Sequence, residues 1–255
     1  MSDYNRNLAA RGSFAGGAVA VDAGLRAHMI RVYNYMASAV ALTGVVAWLT
    51  YQLAGGSAIS IAGGSVSGLT PFGLMVFNPV TMIVLLLGTL GLVFFISFRI
   101  HRLQFGTALM LFMIYSGLLG VTLSTIFLSF TGASITRVFF ISAASFGALS
   151  LWGYTTQRDL TGFGSFLFMG LIGIILATIV NIFLKSSGLE WIISVAGVGI
   201  FAGLTAYDTQ KIKEMYDVSD DGSVSGRKAV MGALSLYLDF INLFMMLLRL
   251  VGDRR

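Results

Sequence analysis

Apolar positions along the chain gather into seven continuous blocks, at about residues 29–53, 79–98, 106–130, 134–154, 163–184, 191–209 and 228–251. Each holds roughly 20 residues, the length an α-helix needs to cross a bilayer. Polar residues concentrate in the links between blocks, and within the blocks there is no strict alternation of the kind an outer-membrane β-barrel requires. The pattern predicts an all-α integral membrane protein, a seven-transmembrane helix bundle.

The last block departs from the others. Asp239 sits close to its middle, where a charged Asp costs on the order of 2.5–3.5 kcal/mol on insertion scales. Steps of three or four residues from Asp239 reach Gly232, Ser235, Asn242, Met246, Arg249 and Asp253. Nearly all the polarity of the segment therefore lies on one helical face. A face like that points at protein or water rather than at lipid, so the last helix is expected at the centre of the bundle.

Composition agrees. The 255 residues are 56% hydrophobic and 11% charged, with mean hydropathy +0.87, against about 25% charged in soluble domains. Glycine reaches 31 and proline only 2, as suits helices packed closely in lipid. Gly199 and Gly203 form a G-x-x-x-G, a signal for close helix contact. Cysteine is absent, which removes disulfides, thiolate nucleophiles and Cys-based metal sites. The two histidines, His28 and His101, lie at block edges beside arginines, so no site with several His ligands can be built.

Residues 1–28 carry arginines among Gly and Ala without an apolar core, which argues against a cleavable signal peptide. They are read as a mobile cytoplasmic tail, followed by a transmembrane domain over 29–251 and a short tail over 252–255. Residues 55–78 are rich in Gly and Ser and uncharged, and either lie on the outer surface or dip into it. Eleven of the sixteen Lys and Arg residues fall on the side shared by the N-terminus and the links after spans 2, 4 and 6. That bias places the N-terminus in the cytoplasm, and the net charge of +5 reports topology rather than affinity for nucleic acid. Seven spans put the C-terminus outside. The closing D-R-R sequence pulls against this, and a re-entrant seventh span would return it to the cytoplasm.

Two acids lie within the spans: Asp208 near the cytoplasmic end of span 6, and Asp239 about 11 residues, or about 16 Å of helix, into span 7. Antiparallel packing of these spans allows the two carboxyls to meet without forcing them to. In contact, they do not both ionise readily and titrate as a pair. A shared proton would tie the two helices together. Its loss would set like charges side by side and open a path for a hard cation that favours oxygen ligands. The alternative is packing glue, with each Asp hydrogen-bonded to neighbouring polar side chains.

Other features weigh less. Asp217 to Gly222 matches the opening of an EF-hand loop, but Lys228 stands where a bidentate Glu is needed, so a solvated loop is expected. The aromatics of spans 3 and 4 read as packing and interface anchors, and Lys211 and Lys213 as markers of the membrane edge. No span carries a His for a serine protease or a mid-depth Lys for retinal, and no cluster of His and acids suits a metal hydrolase. No enzyme is expected.

Two stretches carry a family resemblance. A-Y-D-T-Q-K-I-K at 206–213 and A-L-S-L-Y-L-D-F-I-N-L-F at 233–244 resemble the signature blocks of the Bax inhibitor-1 family. The resemblance spans about residues 29–251. It implies a seven-helix fold with the last helix central and a pH-sensitive calcium leak governed by an aspartate pair on the last two helices. Here that pair is Asp208 and Asp239, which would also hold calcium transiently. It further implies a basic counter-charge at the cytoplasmic end of the second helix, for which Arg99 and Arg102 are candidates. Ser235, Asn242 and Arg249 complete the polar face of the last helix.

Calcium is expected as the permeant ion, with no cofactor, and the partners are the bilayer, calcium and protons. The competing expectation is a non-transporting protein that regulates a membrane partner, such as a protease, through its N-terminal tail. Without Cys or a targeting peptide, a bacterial inner membrane is the expected location.

Overall fold

The computed structural model describes the backbone of residues 2–62 and 65–255 and the side chains of residues 23–60 and 66–255. Helix α1 (Ser2–Leu53) leads to a short antiparallel pair, β1 (Ser60–Ala62) and β2 (Ser65–Ser67), and to the short α2 (Pro71–Val76). Next come α3 (Pro79–Arg99), α4 (Phe105–Leu123), α5 (Ile126–Ser129) and α6 (Gly132–Thr155). The chain closes with α7 (Thr161–Leu184), α8 (Ser187–Glu214) and α9 (Gly222–Val251). Among the described residues, seven helical segments are long and apolar enough to cross a membrane. The third combines α4 and α5, which meet at a break at Ser124 and Thr125.

Helix boundaries follow local chemistry. Both prolines stand at helix starts, Pro71 in α2 and Pro79 in α3, where a missing N–H costs nothing and the fixed φ already suits the helix. Thr70, Asn78, Thr131, Ser186 and Asp221 each cap the following helix by accepting a backbone N–H. The helix of the first span is unbroken through residue 29 and covers all of Ala23–Leu53. His28 is buried in it, its ring 5.8 Å from that of Tyr216. Of the tail expected over 1–28, the side chains of residues 1–22 lie outside those described.

Helix α9 is the axis of the bundle. Of its most apolar stretch 67% is buried inside the protein, against 11% for α3 and α7. Tyr237 is fully buried at its centre, edge-on to Phe112 and Tyr115, while Phe240 meets Phe139 and Phe146 in the same way. These α4 and α6 aromatics are packing groups for the central helix, and Phe140 and Trp152 face outward.

Thr43 Oγ1 lies 2.7 Å from the Tyr237 hydroxyl and 2.9 Å from both the Ala39 and Ser116 carbonyls. Its one proton goes to a carbonyl, so Tyr237 donates to it. Thr43→Val should therefore strand a buried hydroxyl and cost about 1–3 kcal/mol. Denaturation of that variant beside Thr43→Val/Tyr237→Phe checks this, with the double variant regaining part of the loss.

Close helix approaches occur at glycines other than the G-x-x-x-G pair. A Cβ on Gly199 would meet nothing within 4 Å, and one on Gly203 would meet only α7 side chains. At Gly153, by contrast, it would fall 2.3 Å from the Ala206 carbonyl oxygen, and at Gly120 2.7 Å from that of Thr43. These are the contacts of α6 with α8 and of α4 with α1.

Helix α9 is unbroken over Gly222–Val251 and runs from one end of the bundle to the other without turning back. Its C-terminal tail lies at the end of the bundle that holds Tyr51, Phe130 and Glu190, opposite the α8–α9 loop. The tail is tied to the α5–α6 link. The Asp253 N–H donates to Ser134 Oγ, the Thr131 N–H to the Asp253 carbonyl, and the Arg255 N–H to that of Ser129. The charges of D-R-R are answered locally, Asp253 by Arg137 at 2.8 Å and Arg254 by Glu190 at 2.7 Å.

Candidate functional site

Helices α8 and α9 pack antiparallel with Ile212 against Gly232, where a Cβ would come within 3.1 Å of the Ile212 side chain. One turn deeper on each helix sets Asp208 opposite Leu236, between Ser235 and Asp239. The two carboxyls lie in hydrogen-bonding reach of each other. Asp239 is only 5% exposed, and its Oδ2 has no hydrogen-bond partner among the described residues. Asp208 is half-buried. A buried and a half-buried carboxyl in contact are accommodated when one proton lies between them; two bare charges there would repel, and the buried one would lack solvation.

Asp208 stands farther from its helix end than the apolar pattern places it. The apolar pattern ends near Thr209, but α8 continues to Glu214, so Asp208 sits about 9 Å inside the helix end. The residues after it hold this segment in place. Thr209 Oγ1 donates to the Thr205 carbonyl and accepts from Ser150, which accepts from Tyr33. Gln210 accepts the Leu160 N–H and donates to the Arg158 carbonyl. Asp208 is thus carried on a helix fastened to α1, α6 and the α6–α7 link.

Three cavities meet along this face. A cleft of ≈ 960 Å³ between α3, α7, α8 and α9 is lined on its polar side by Asp208, Asp239, Ser235, Asn242 and Thr178. It shares Asp208, Lys211 and Ser235 with a cavity of ≈ 280 Å³ at the basic end of the bundle. Through Thr178 it adjoins a third, of ≈ 700 Å³, at the opposite end, where Arg249, Arg254, Arg255 and Glu190 lie. The polar face of α9 is thereby divided: Ser235, Asp239 and Asn242 face the central cleft, and Arg249 the far cavity. The Asn242 amide N–H donates to the Leu238 carbonyl one turn back.

Residues 25–255 match the family described as inhibitor of apoptosis-promoting Bax1. The chain belongs to the Bax inhibitor-1 family. It is 47% identical over 235 residues to inner membrane protein YbhL of Escherichia coli K12, covering 91% of this chain and 94% of that protein. A Caulobacter vibrioides protein is 40% identical over 258 residues, the full length of both. A Borreliella burgdorferi protein is 50% identical over 179 residues, 70% of this chain and 77% of that one.

Arg99 and Arg102, the counter-charge candidates from the family resemblance, do not line the cavities beside Asp208. Both are exposed, and neither enters an ion pair among the described residues. The basic groups beside Asp208 are Lys211, one turn along α8, and His101, Arg227 and Lys228 around the same small cavity. The sequence flags Lys211 only as a membrane-edge residue. Its spacing of three from Asp208 was the available signal, since residues three apart share a helical face. The acids of the EF-hand-like loop are each occupied. Asp217 accepts from the Ser219 N–H and hydroxyl, which hold its carboxyl below the usual range. Asp220 pairs with Lys228, and Asp221 caps α9.

Proposed function

We propose that this Bax inhibitor-1 family protein is a cation leak pathway, with calcium as the permeant ion, whose opening follows the protonation of the Asp208–Asp239 pair. The observation that carries this reading is the contact of a buried carboxyl, Asp239, with a half-buried one, Asp208, where three cavities adjoin from one end of the bundle to the other. With one proton shared, α8 and α9 are held together and the path is closed. With both carboxylates bare, repulsion separates the helices and exposes oxygen ligands to a hard cation. Asp208 and Asp239 bind the passing ion only transiently, and no cofactor and no catalytic step enter. The Lys and Arg asymmetry supports a cytoplasmic N-terminus, and the likeness to YbhL supports a bacterial inner membrane.

A second reading has a specific observation in its favour. Both terminal cavities are lined by several basic groups, which repel cations. A non-transporting regulator of a membrane protease or another membrane partner would tolerate such mouths. Calcium uptake into liposomes carrying the purified protein separates the two readings. Two pH units change proton free energy by about 2.7 kcal/mol, so a one-proton gate can change its open-to-closed ratio by up to about a hundredfold. Flux at pH 8 is expected to exceed that at pH 6 by tenfold or more. Flux no greater than through empty liposomes at either pH would leave the regulator reading standing.

A further inference from the structure

The small cavity at the basic end holds more positive charge than the cation path can use. His101 comes from the turn after α3, Lys211 from α8, and Arg227 and Lys228 from α9, with Asp208 as the acid on its wall. Lys228 is paired with Asp220. Arg227 donates only to the neutral Ser223 hydroxyl, at 2.8 Å, among the described residues, which leaves most of its five N–H donors available. Lys211 lies 5.9 Å from the centre of the Tyr207 ring and outside every ion pair among the described residues. Cationic groups facing one recess with apolar walls, here Ile100, Met215 and Met231, focus a positive potential that is relieved by an anion.

We propose that this cavity is a binding site for a phosphate monoester dianion, held by Arg227, Lys211, Lys228 and His101. A guanidinium fork and two ammonium groups suit a tetrahedral oxyanion with several acceptor oxygens. The volume of ≈ 280 Å³ equals that of about nine waters at ~30 Å³ each, enough for one phosphate group with its remaining hydration. The position at the membrane edge gives the ligand two sources of the same chemistry, free inorganic phosphate and the headgroup of phosphatidic acid. Bound there, the anion bridges α8, α9 and the turn after α3. Its binding does not depend on conduction and is measured without it, so failure of the leak reading leaves this site standing, and the reverse.

The test uses the full-length protein in uncharged detergent. One arm follows thermal stability during titration with inorganic phosphate, against sodium chloride at matched ionic strength. The other counts phosphatidic acid retained by native mass spectrometry, against phosphatidylcholine. Saturable binding in either arm, weakened about tenfold by Arg227→Gln and similarly by Lys211→Gln, is the expected result; the loss corresponds to one charge-assisted hydrogen bond. Two variants on different helices keep the test decisive if one fails to fold. Binding in neither arm above its control, or binding that both variants leave unchanged, overturns the site.

Discussion

Asp239→Asn is expected to make calcium flux the same at pH 6 and pH 8, collapsing a ratio of tenfold or more to about one. The amide has the size of the carboxyl and still donates to Asp208, so the packing of α8 on α9 survives while the proton that would switch it is gone. Asp208→Asn should do the same, because a pair that titrates as a unit loses its switch when either member is neutralised. Liposome flux for wild type and both variants, at equal reconstitution, is the measurement. A full pH dependence retained in both variants would show that the pair is packing glue between two helices, the role that buried acids satisfied by each other can also fill.

Gly153→Val is expected to cause a large loss of stability. Its Cβ would fall 2.3 Å from the Ala206 carbonyl oxygen and 2.8 Å from the Ala206 Cα. Both are backbone atoms of α8, which cannot turn aside as a side-chain end can. Overpacking costs typically 1–3 kcal/mol, and this contact belongs at or above the upper end, about 3 kcal/mol. It should also disturb Thr209 and Gln210, which fasten the Asp208 segment a turn further along α8. Gly147→Ala, on the same helix with nothing within 4 Å of its Cβ, is the control. It should melt at or above the wild-type temperature, because alanine is favoured over glycine in a helix by about 1 kcal/mol. Equal melting of Gly153→Val and wild type in detergent would remove the close α6–α8 contact from the account.

These two sites differ in how far the chain alone disclosed them. Asp239 announced itself, because a carboxylate inside twenty apolar residues has no other comparable feature near it. Gly153 did not: it is one glycine among 31, and the pair flagged by spacing, Gly199 and Gly203, makes no close backbone contact. Spacing along one helix says which residues share a face, but nothing about which neighbour that face meets. The placing of Arg99 and Arg102 shows the same limit. They stand at the right end of the right helix, yet both are exposed, while Lys211, Arg227 and Lys228 reach the cavity beside Asp208.

What the sequence determined by itself was the membrane-spanning class, seven helices, the central place of α9 and the two acids worth attention. Each rests on local patterning: continuous apolar length against bilayer thickness, and polar residues gathered on one helical stripe. Only the tertiary structure decided that Asp208 meets Asp239, which cations stand near them, and that α9 runs the length of the bundle to a tail pinned by Arg137 and Glu190. Those outcomes depend on where helices end and how they are rotated against one another. α8 ran five residues past its apolar pattern, to Glu214, because a helix continues as long as its backbone hydrogen bonds and caps are satisfied, whether or not its surface remains apolar.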